Sequence, residues 1–338
     1  MNSITYKNGP IKPENRQPIP EQTDSVKFLD SFSQAVTGIV ECVTPAVVSI
    51  NVRSKITRRN RVMRQGGAGS GALFTPDGYI LTNSHVVHEA ESIEVVFSDG
   101  TTSKAVIIGA DSSTDLAVIR VQSSSLPYLT LGNSSALKVG QLVIAIGNPL
   151  GFDSTVSTGV VSALGRALQS QDGRTIENII QHTAPLNPGN SGGPLTNTKG
   201  EIVGINTAII AMAQGIGFAI PSNTASFIVS QLLAHGRVRR GRLGIVGQDR
   251  PLSTSLVRFH NLPHNRAVEV IDIDQKAPAA KAGIQKRDII VGVNNQEVIT
   301  MTDLQRFLTE KWQPGQSITA SIIRSREKLA IELMPIEA

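Results

Sequence analysis

From Ala46 to Ile220 short apolar runs alternate with turn signals, and no long helical period intervenes. That pattern constrains the fold more than any other feature of the chain. Gly71–Phe74 and Tyr79–Thr82 flank Thr75-Pro76-Asp77-Gly78, which predicts a hairpin. Ile93–Phe97 and Lys104–Ile108 flank Ser98-Asp99-Gly100 in the same way. Thr114–Val121, Leu142–Ile146, Thr155–Val161, Ile176–Ile180, Glu201–Ile210 and Ile216–Ile220 are further strand candidates. Strands in such number, without βα alternation, predict antiparallel sandwiches or barrels. The stretch Ile202–Ile220 carries no charge, but its glycines and polar residues split it into two β-like bursts, which argues against a membrane helix.

The flanks differ. Residues 1–25 read as an extended arm with Pro10, Pro13, Pro18 and Pro20, and Asp24–Cys42 has apolar residues near helical spacing. Pro221-Ser222-Asn223 precedes a helix expected over Thr224–His235, stopped by Gly236. The expected units are 26–236, a basic linker at 237–241, and a separate module of about 100 residues over 242–338. In the last, Pro278–Ala282 has a proline start and a glycine stop. Thr302–Glu310 opens on the caps Thr302 and Asp303.

Charge and cysteine content narrow the function classes. The net charge of +5 suggests nucleic acid, but residues 1–236 balance sixteen basic against sixteen acidic side chains. The excess gathers at Arg237, Arg239 and Arg240, beside Arg242, and no nucleic-acid motif accompanies it. A solvated loop is the expectation there, with attraction of acidic or carboxylate-ended peptides as a further reading. Cys42, the single cysteine, has no intrachain partner, and no Cys/His cluster reads as a metal site. His88-Glu89 begins like a zinc-protease motif, but Ser92 stands where the second histidine belongs. No metal and no cofactor are expected. Residues 1–30 lack an apolar core typical of a secretory leader, which gives a cytoplasmic expectation.

The sharpest string is Asn187-Pro188-Gly189-Asn190-Ser191-Gly192-Gly193-Pro194-Leu195. Glycines let the backbone turn sharply around a serine and aim N–H groups, such as those of Gly189 and Ser191, at one point. The string also satisfies G-x-S-x-G, the elbow of α/β-hydrolases. That rival needs a helix after the serine, whereas Pro194 and a turn lead into a strand. Upstream, Thr82-Asn83-Ser84-His85-Val86-Val87 ends a strand at a histidine, and Thr114-Asp115-Leu116-Ala117-Val118 sets an aspartate at a strand start. A serine hydroxyl needs a base to become nucleophilic, and an aspartate fixes the tautomer of that base. His85, Asp115 and Ser191 follow the chain order of the chymotrypsin-like double barrel. Asp111 competes with Asp115 as orienter, and His182 is a lone histidine near the serine.

On these strings the chain resembles the HtrA/Deg family of serine proteases over residues 26–338, with support from Gly147-Asn148-Pro149-Leu150-Gly151, Gly204–Ala208 and Gly217–Pro221. The resemblance implies a mainly β fold: a chymotrypsin-like pair of six-stranded antiparallel β-barrels, then a small α/β PDZ domain. It implies Ser191 as nucleophile, His85 as base and then acid, and Asp115 as orienter. It gives an oxyanion hole from Gly189 and Asn190 through to Ser191, and an S1 pocket at Leu186 and Ile209. Both are aliphatic, which implies a small or medium aliphatic side chain on the acyl side of the cut bond. The resemblance also marks Pro185–Asn190 and Ile210–Gly215 as switching loops. Arg242-Leu243-Gly244-Ile245 matches the PDZ carboxylate loop, so Leu243, Gly244 and Ile245 are expected to bind peptide. Implied partners are unfolded proteins, hydrophobic C-terminal peptides, and copies of the chain in a homotrimer or larger multiple, with no membrane span. Phe28 and Phe32 either serve that assembly or pack on the chain's own barrel. A departure stands at His182-Thr183-Ala184-Pro185-Leu186-Asn187, where relatives often carry Thr-Asp-Ala-Ala-Ile-Asn. The rival functions are a peptide-binding, chaperone-like protein and a processing protease with one substrate.

Overall fold

The computed structural model describes residues 24–58, 61–148, 154–169, 175–207 and 215–338. Helix α1 (Asp24–Val43) leads through a short turn into six strands. These are β1 (Val47–Arg58), β2 (Arg61–Leu73), β3 (Tyr79–Thr82), β4 (Ser92–Val96), β5 (Thr102–Asp111) and β6 (Leu116–Val121), with the one-turn helix α2 (Ser84–Val87) after β3. They close as a barrel in the order β1-β2-β3-β6-β5-β4. The expected first hairpin is present: Ala72 pairs with Leu81 and Leu73 with Ile80.

A second closed barrel follows, in the order β10-β11-β12-β9-β8-β7. Its strands are β7 (Leu142–Gly147), β8 (Thr155–Gln169), β9 (Thr175–His182), β10 (Pro194–Thr196), β11 (Ile202–Thr207) and β12 (Gly217–Pro221). The uncharged stretch from Ile202 therefore holds β11 and β12. No helix among the described residues is long and apolar enough to cross a membrane. One continuous core joins the barrels: Ile50, Leu81 and Ile119 from the first pack with Ile144, Ile179 and Ile205 from the second. A smaller cluster with Val143, Ile180, Leu195 and Ala219 fills the second barrel. Helix α3 (Ser222–His235) buries Ala225, Ile228 and Leu232 in the shared core, and so clamps the two barrels from outside.

The remaining chain forms a six-stranded antiparallel sheet with short helices. The sheet order is β14 (Ile245–Pro251), β15 (Arg266–Ile273), β16 (Ile289–Val293), β18 (Ile318–Arg324) and β19 (Glu327–Leu333). The short β17 (Gln296–Glu297) pairs with β16, and β13 (Gly241–Arg242) pairs with β20 (Ile336–Glu337). The helices are α4 (Thr254–Phe259), α5 (Pro278–Lys281) and α6 (Met301–Glu310). Residues Leu304, Phe307 and Leu308 of α6 and Trp312 after it enter a core separate from that of the barrels.

Three expectations need correction. The cap of α6 is Thr300, in a capping box with Asp303, because Thr300 supplies both a hydroxyl and an N–H to Asp303 two residues before the expected start. Phe32 does not pack on the barrel. It is 40% exposed, since Val36, Ile39 and Val40 form the face of α1 that meets the core. The side chain of Phe28 lies outside the described residues. The basic stretch is not simply solvated: Arg237 pairs with Glu337 at 2.8 Å, Arg240 with Asp111 at 2.7 Å, and Arg242 with Asp274 at 3.5 Å. The excess positive charge is thus directed onto carboxylates of the chain itself.

Candidate active site

Strand β3 is buried through Leu81 and Thr82, and the chain then turns at Asn83 into α2, which presents His85. Asp115 stands one residue before β6, at φ 55°. A left-handed aspartate is uncommon and is kept only where surrounding bonds fix it. Here its carbonyl accepts from Ser84 N–H at 3.1 Å and from Asn83 Nδ2 at 3.0 Å. The carboxylate is thereby aimed at His85. Its oxygens lie 2.8 and 2.9 Å from His85 Nδ1, and Oδ1 also accepts the His85 backbone N–H at 3.0 Å. This fixes Nδ1 as the protonated nitrogen beside the carboxylate and leaves Nε2 as the basic one. Asp115 is buried, whereas the His85 side chain is about half exposed.

Asp111, the competing orienter, serves elsewhere. Its carboxylate accepts from Thr114 N–H and Oγ1 and takes a bidentate pair from Arg240, both bonds at 2.7 Å. It shapes the turn that carries Asp115, and ties that turn to the segment entering β13.

Ser191 arrives from the second barrel. Gly192, at φ 86°, donates its N–H to Asn206 O at 2.9 Å. A Cβ on Gly192 would lie 2.2 Å from Ser70 O and 2.3 Å from Thr82 Oγ1, so only glycine brings this loop against the end of β3. That contact places the serine loop beside the strand that delivers His85. Gly189 stands at φ 97°, and its N–H has no partner among the described residues. Asn190 differs from the expectation. Its N–H donates to Asn187 O at 3.0 Å, closing the turn, so it is not aimed with that of Gly189. Gly189 N–H is thus the donor that the described residues leave for an oxyanion.

Two residues of the site carried no role in the sequence reading. Thr207 Oγ1 donates to Asp115 Oδ2 at 2.9 Å, a bond from β11 of the second barrel to the carboxylate of the first. Ser70 runs the other way. Its N–H donates to Ser191 O at 2.8 Å, its Oγ donates to Gly189 O at 2.6 Å, and Oγ accepts Asn148 N–H at 2.8 Å. Ser70 sits in a run of small residues on β2, and that run was the available signal: small side chains mark where another segment approaches closely.

Leu186 is partly buried against the second-barrel cluster, and Ile209 lies outside the described residues, as do 210–214 of the second switching loop. Leu243, Gly244 and Ile245 line a cleft of about 910 Å³ with Met301, Leu304 and Leu308 of α6. The carbonyls of Leu243 and Gly244 are used by Ala279 N–H and Asp274 N–H. The far wall of the cleft comes from the barrels, through Thr114, Phe227 and Ile228.

Residues 69–205 match the model of the trypsin-like peptidase domain, and residues 243–334 match that of the PDZ domain. A probable periplasmic serine endoprotease, DegP-like, of Chlamydia pneumoniae is 42% identical over 80% of this chain and 55% of its own length. The chain thus spans about half the length of that relative. A DegP-like counterpart of Pseudomonas savastanoi is 39% identical over 87% of this chain and 69% of its own length. Among solved structures, the HtrA-type protease AlgW with tripeptide superposes with a TM-score of 0.78 at 33% identity, covering 90% of this chain and 97% of that one. Sequence, barrels and sheet therefore agree, and the chain belongs to the HtrA/DegP-like serine endoproteases.

Proposed function

We propose that the chain is a serine endopeptidase that cleaves unfolded or damaged proteins through an acyl-enzyme. The observation that carries the reading is the Asp115 carboxylate, bonded at once to His85 Nδ1 and to Thr207. In this mechanism His85 Nε2 takes the proton of Ser191 Oγ as the oxygen attacks the peptide carbonyl. Asp115 stabilises the imidazolium, and Gly189 and Ser191 N–H groups receive the developing oxyanion. His85 returns the proton to the leaving amine, and water then repeats the sequence to release the acyl group. Leu186, with Ile209, forms an aliphatic wall for the residue on the acyl side.

The cleft at Leu243–Ile245 takes an extended hydrophobic C-terminal segment beside β14, its carboxylate held by loop N–H groups. The similar AlgW structures carry a tripeptide or a decapeptide, which supports a peptide as the occupant here. The same cleft favours the second reading, a peptide-binding protein with cleavage secondary. We place the assembly at a homotrimer or a multiple of it, supported by the family and by the exposed Phe32 on α1; sedimentation equilibrium tests this. The cytoplasmic expectation stands against relatives named periplasmic, and cell fractionation decides it.

Labelling by a fluorophosphonate probe and casein cleavage test the enzyme reading. Both must be present in the wild type and absent in Ser191→Ala. A wild type that binds C-terminal peptides but is neither labelled nor active leaves the binding reading in its place.

A further inference from the structure

The cleft beside β14 has a definite length, and one side chain sets it. Strand β14 is the open edge of its sheet, with a neighbour on one side only. From Ile245 to Asp249 its residues alternate between half-buried and exposed, so Ile245, Gly247 and Asp249 share one face. That face meets the start of α6, because Asp249 Oδ1 accepts the Met301 N–H at 2.8 Å. The capping box of Thr300 and Asp303 holds the same turn of the helix. The backbone of Met301 is thereby tied to β14.

The Met301 side chain lies over Gly247. A Cβ on Gly247 would lie 2.3 Å from Met301 Sδ and 3.3 Å from Cγ, so the thioether fills the place where a side chain would stand. The cleft ends at that crossing. Ile245 and Val246 of β14 line it, as do Met301, Leu304 and Leu308 of α6, whereas Gly247 and Gln248 do not. Its inner end is apolar: Leu243, Leu304 and Leu308 are buried in the core of this sheet, and Ile245 packs against them. An extended segment added to β14, with its carboxylate at the Leu243–Ile245 loop, runs antiparallel to that strand. Its last residue then stands opposite Ile245, and its third from last stands opposite Gly247. Opposed residues share a face. The last side chain therefore enters the apolar end, and the third from last meets Met301.

We propose that Met301 is the specificity-determining end wall of this cleft. It leaves depth for a large apolar last residue and selects a small one, alanine or glycine, third from the end. The inference rests on the peptide-binding reading of the cleft. A bulky third residue has to push the thioether off Gly247, which returns apolar surface of both to water. Alanine leaves the thioether in place. Methionine is unbranched and bends readily, so the selection is graded rather than absolute.

The test uses the full chain carrying Ser191→Ala, so that bound peptides are not cut. Fluorescein-labelled peptides ending in Ala-Val-Phe or Tyr-Val-Phe are titrated by fluorescence anisotropy, each also with an amidated C-terminus. With Met301 in place, the Ala peptide is expected to bind about tenfold more tightly than the Tyr peptide, the cost of uncovering Gly247 and the thioether. In Met301→Ala the Tyr peptide gains and the ratio falls to about one. Met301→Leu keeps a δ atom over Gly247 and keeps the preference. Equal binding of the two peptides with Met301 in place overturns the proposal, as does tighter binding of Tyr or an unchanged ratio in a folded Met301→Ala. If Met301→Ala does not fold, Met301→Val, which has no δ atom but retains apolar bulk, decides in its place by the same ratio. Binding of neither peptide, or equal binding of the amidated forms, sinks the peptide reading of the cleft itself, which separates that failure from this one.

Discussion

Ser70→Ala removes one oxygen atom and two hydrogen bonds, and leaves the backbone bonds of residue 70 in place. Gly189 O loses a donor at 2.6 Å, and Asn148 N–H loses an acceptor at 2.8 Å. Asn148 is 1% exposed, so water cannot easily replace the lost partner there. Gly189 is half-buried, and its carbonyl can turn to solvent. A net hydrogen bond is worth about 1 kcal/mol, and a buried group left unpaired costs about 1–3 kcal/mol. Together these give about 2–4 kcal/mol of stability. For barrels of this size that is a fall in Tm of about 5–15 °C. The effect on catalysis has a different origin. Gly189 O is held by Ser70 while Gly189 N–H is aimed at the oxyanion, so freeing the carbonyl loosens the donor. Removal of an oxyanion donor costs about 10²–10³ in kcat. Loosening one should cost about tenfold or more, with KM little changed. Ser222→Ala is the control: it also loses a 2.6 Å bond, to Gly132 O, at the start of α3. Scanning calorimetry, peptide kcat and fluorophosphonate labelling should show both variants destabilised and only Ser70→Ala slowed. A Ser70→Ala protein with lowered Tm and wild-type kcat would refute the positioning argument, and an unchanged Tm would refute the energetic one.

The other predictions are more direct. Thr207→Val keeps the shape of the side chain but deletes its bond to Asp115, so kcat should fall roughly ten- to a hundredfold, matching 1.5–3 kcal/mol for a bond to a charged group; an unchanged labelling rate would count against the second barrel holding the carboxylate. Arg240→Ala leaves Asp111, 7% exposed, without its bidentate partner. The loss should be about 3 kcal/mol in urea unfolding, and the Asp111→Asn, Arg240→Ala double variant should lose less than the sum; additivity would show that the pair is not coupled. Gly192→Ala should give no active protein, since its Cβ would overlap Ser70 O at a φ of 86°; normal labelling would overturn the close-approach argument. Burial lowers the pKa of His182, which sets a pH dependence. The unfolded chain binds this proton near pH 6.5 and the folded chain only near pH 4. The contribution to stability is complete above pH 6.5 and is lost as pH falls to about 4, to the extent of about 3 kcal/mol. His182→Leu should show a shallower fall over that window, and a parallel one would refute the assignment.

The parts of the fold that were legible in the sequence were those written in apolar periodicity and turn chemistry. The hairpin at Thr75–Gly78 and strands β7 and β12 follow from short apolar runs between turn residues. Strand β2 was opaque for a physical reason. Its run Gly66-Gly67-Ala68-Gly69-Ser70-Gly71 has no alternation to read, and at Gly69 and Gly71 the neighbours Val86 and Ile80 approach too closely for a side chain. The site divided in the same way. Ser191, His85 and Asp115 stood out because each sits in a local string with its own chemistry. Ser70 and Thr207 did not, because what they do depends on a partner more than ninety residues away. Asn190 shows the reverse limit: proximity in sequence suggested a donor, and the Asn187 turn uses it.

The bonds that sequence could not show have a common direction. Ser70 belongs to the first barrel and grips the serine loop of the second. Thr207 belongs to the second barrel and grips the aspartate of the first. Each barrel therefore holds the other's share of the catalytic group. Neither barrel alone contains a competent site, and the core between them is continuous. Docking of the barrels and assembly of the site are one event in energetic terms. A cavity in the shared core, such as Ile205→Ala at a fully buried position, destabilises that docking by about 2–5 kcal/mol. It should then lower the labelling rate before it unfolds either barrel. An equal loss of core packing away from the interface, at Val143, should cost stability without that early loss of labelling. If both variants lose labelling only as they unfold, the barrels act as one rigid unit and the coupling runs through the whole fold rather than through these two bonds.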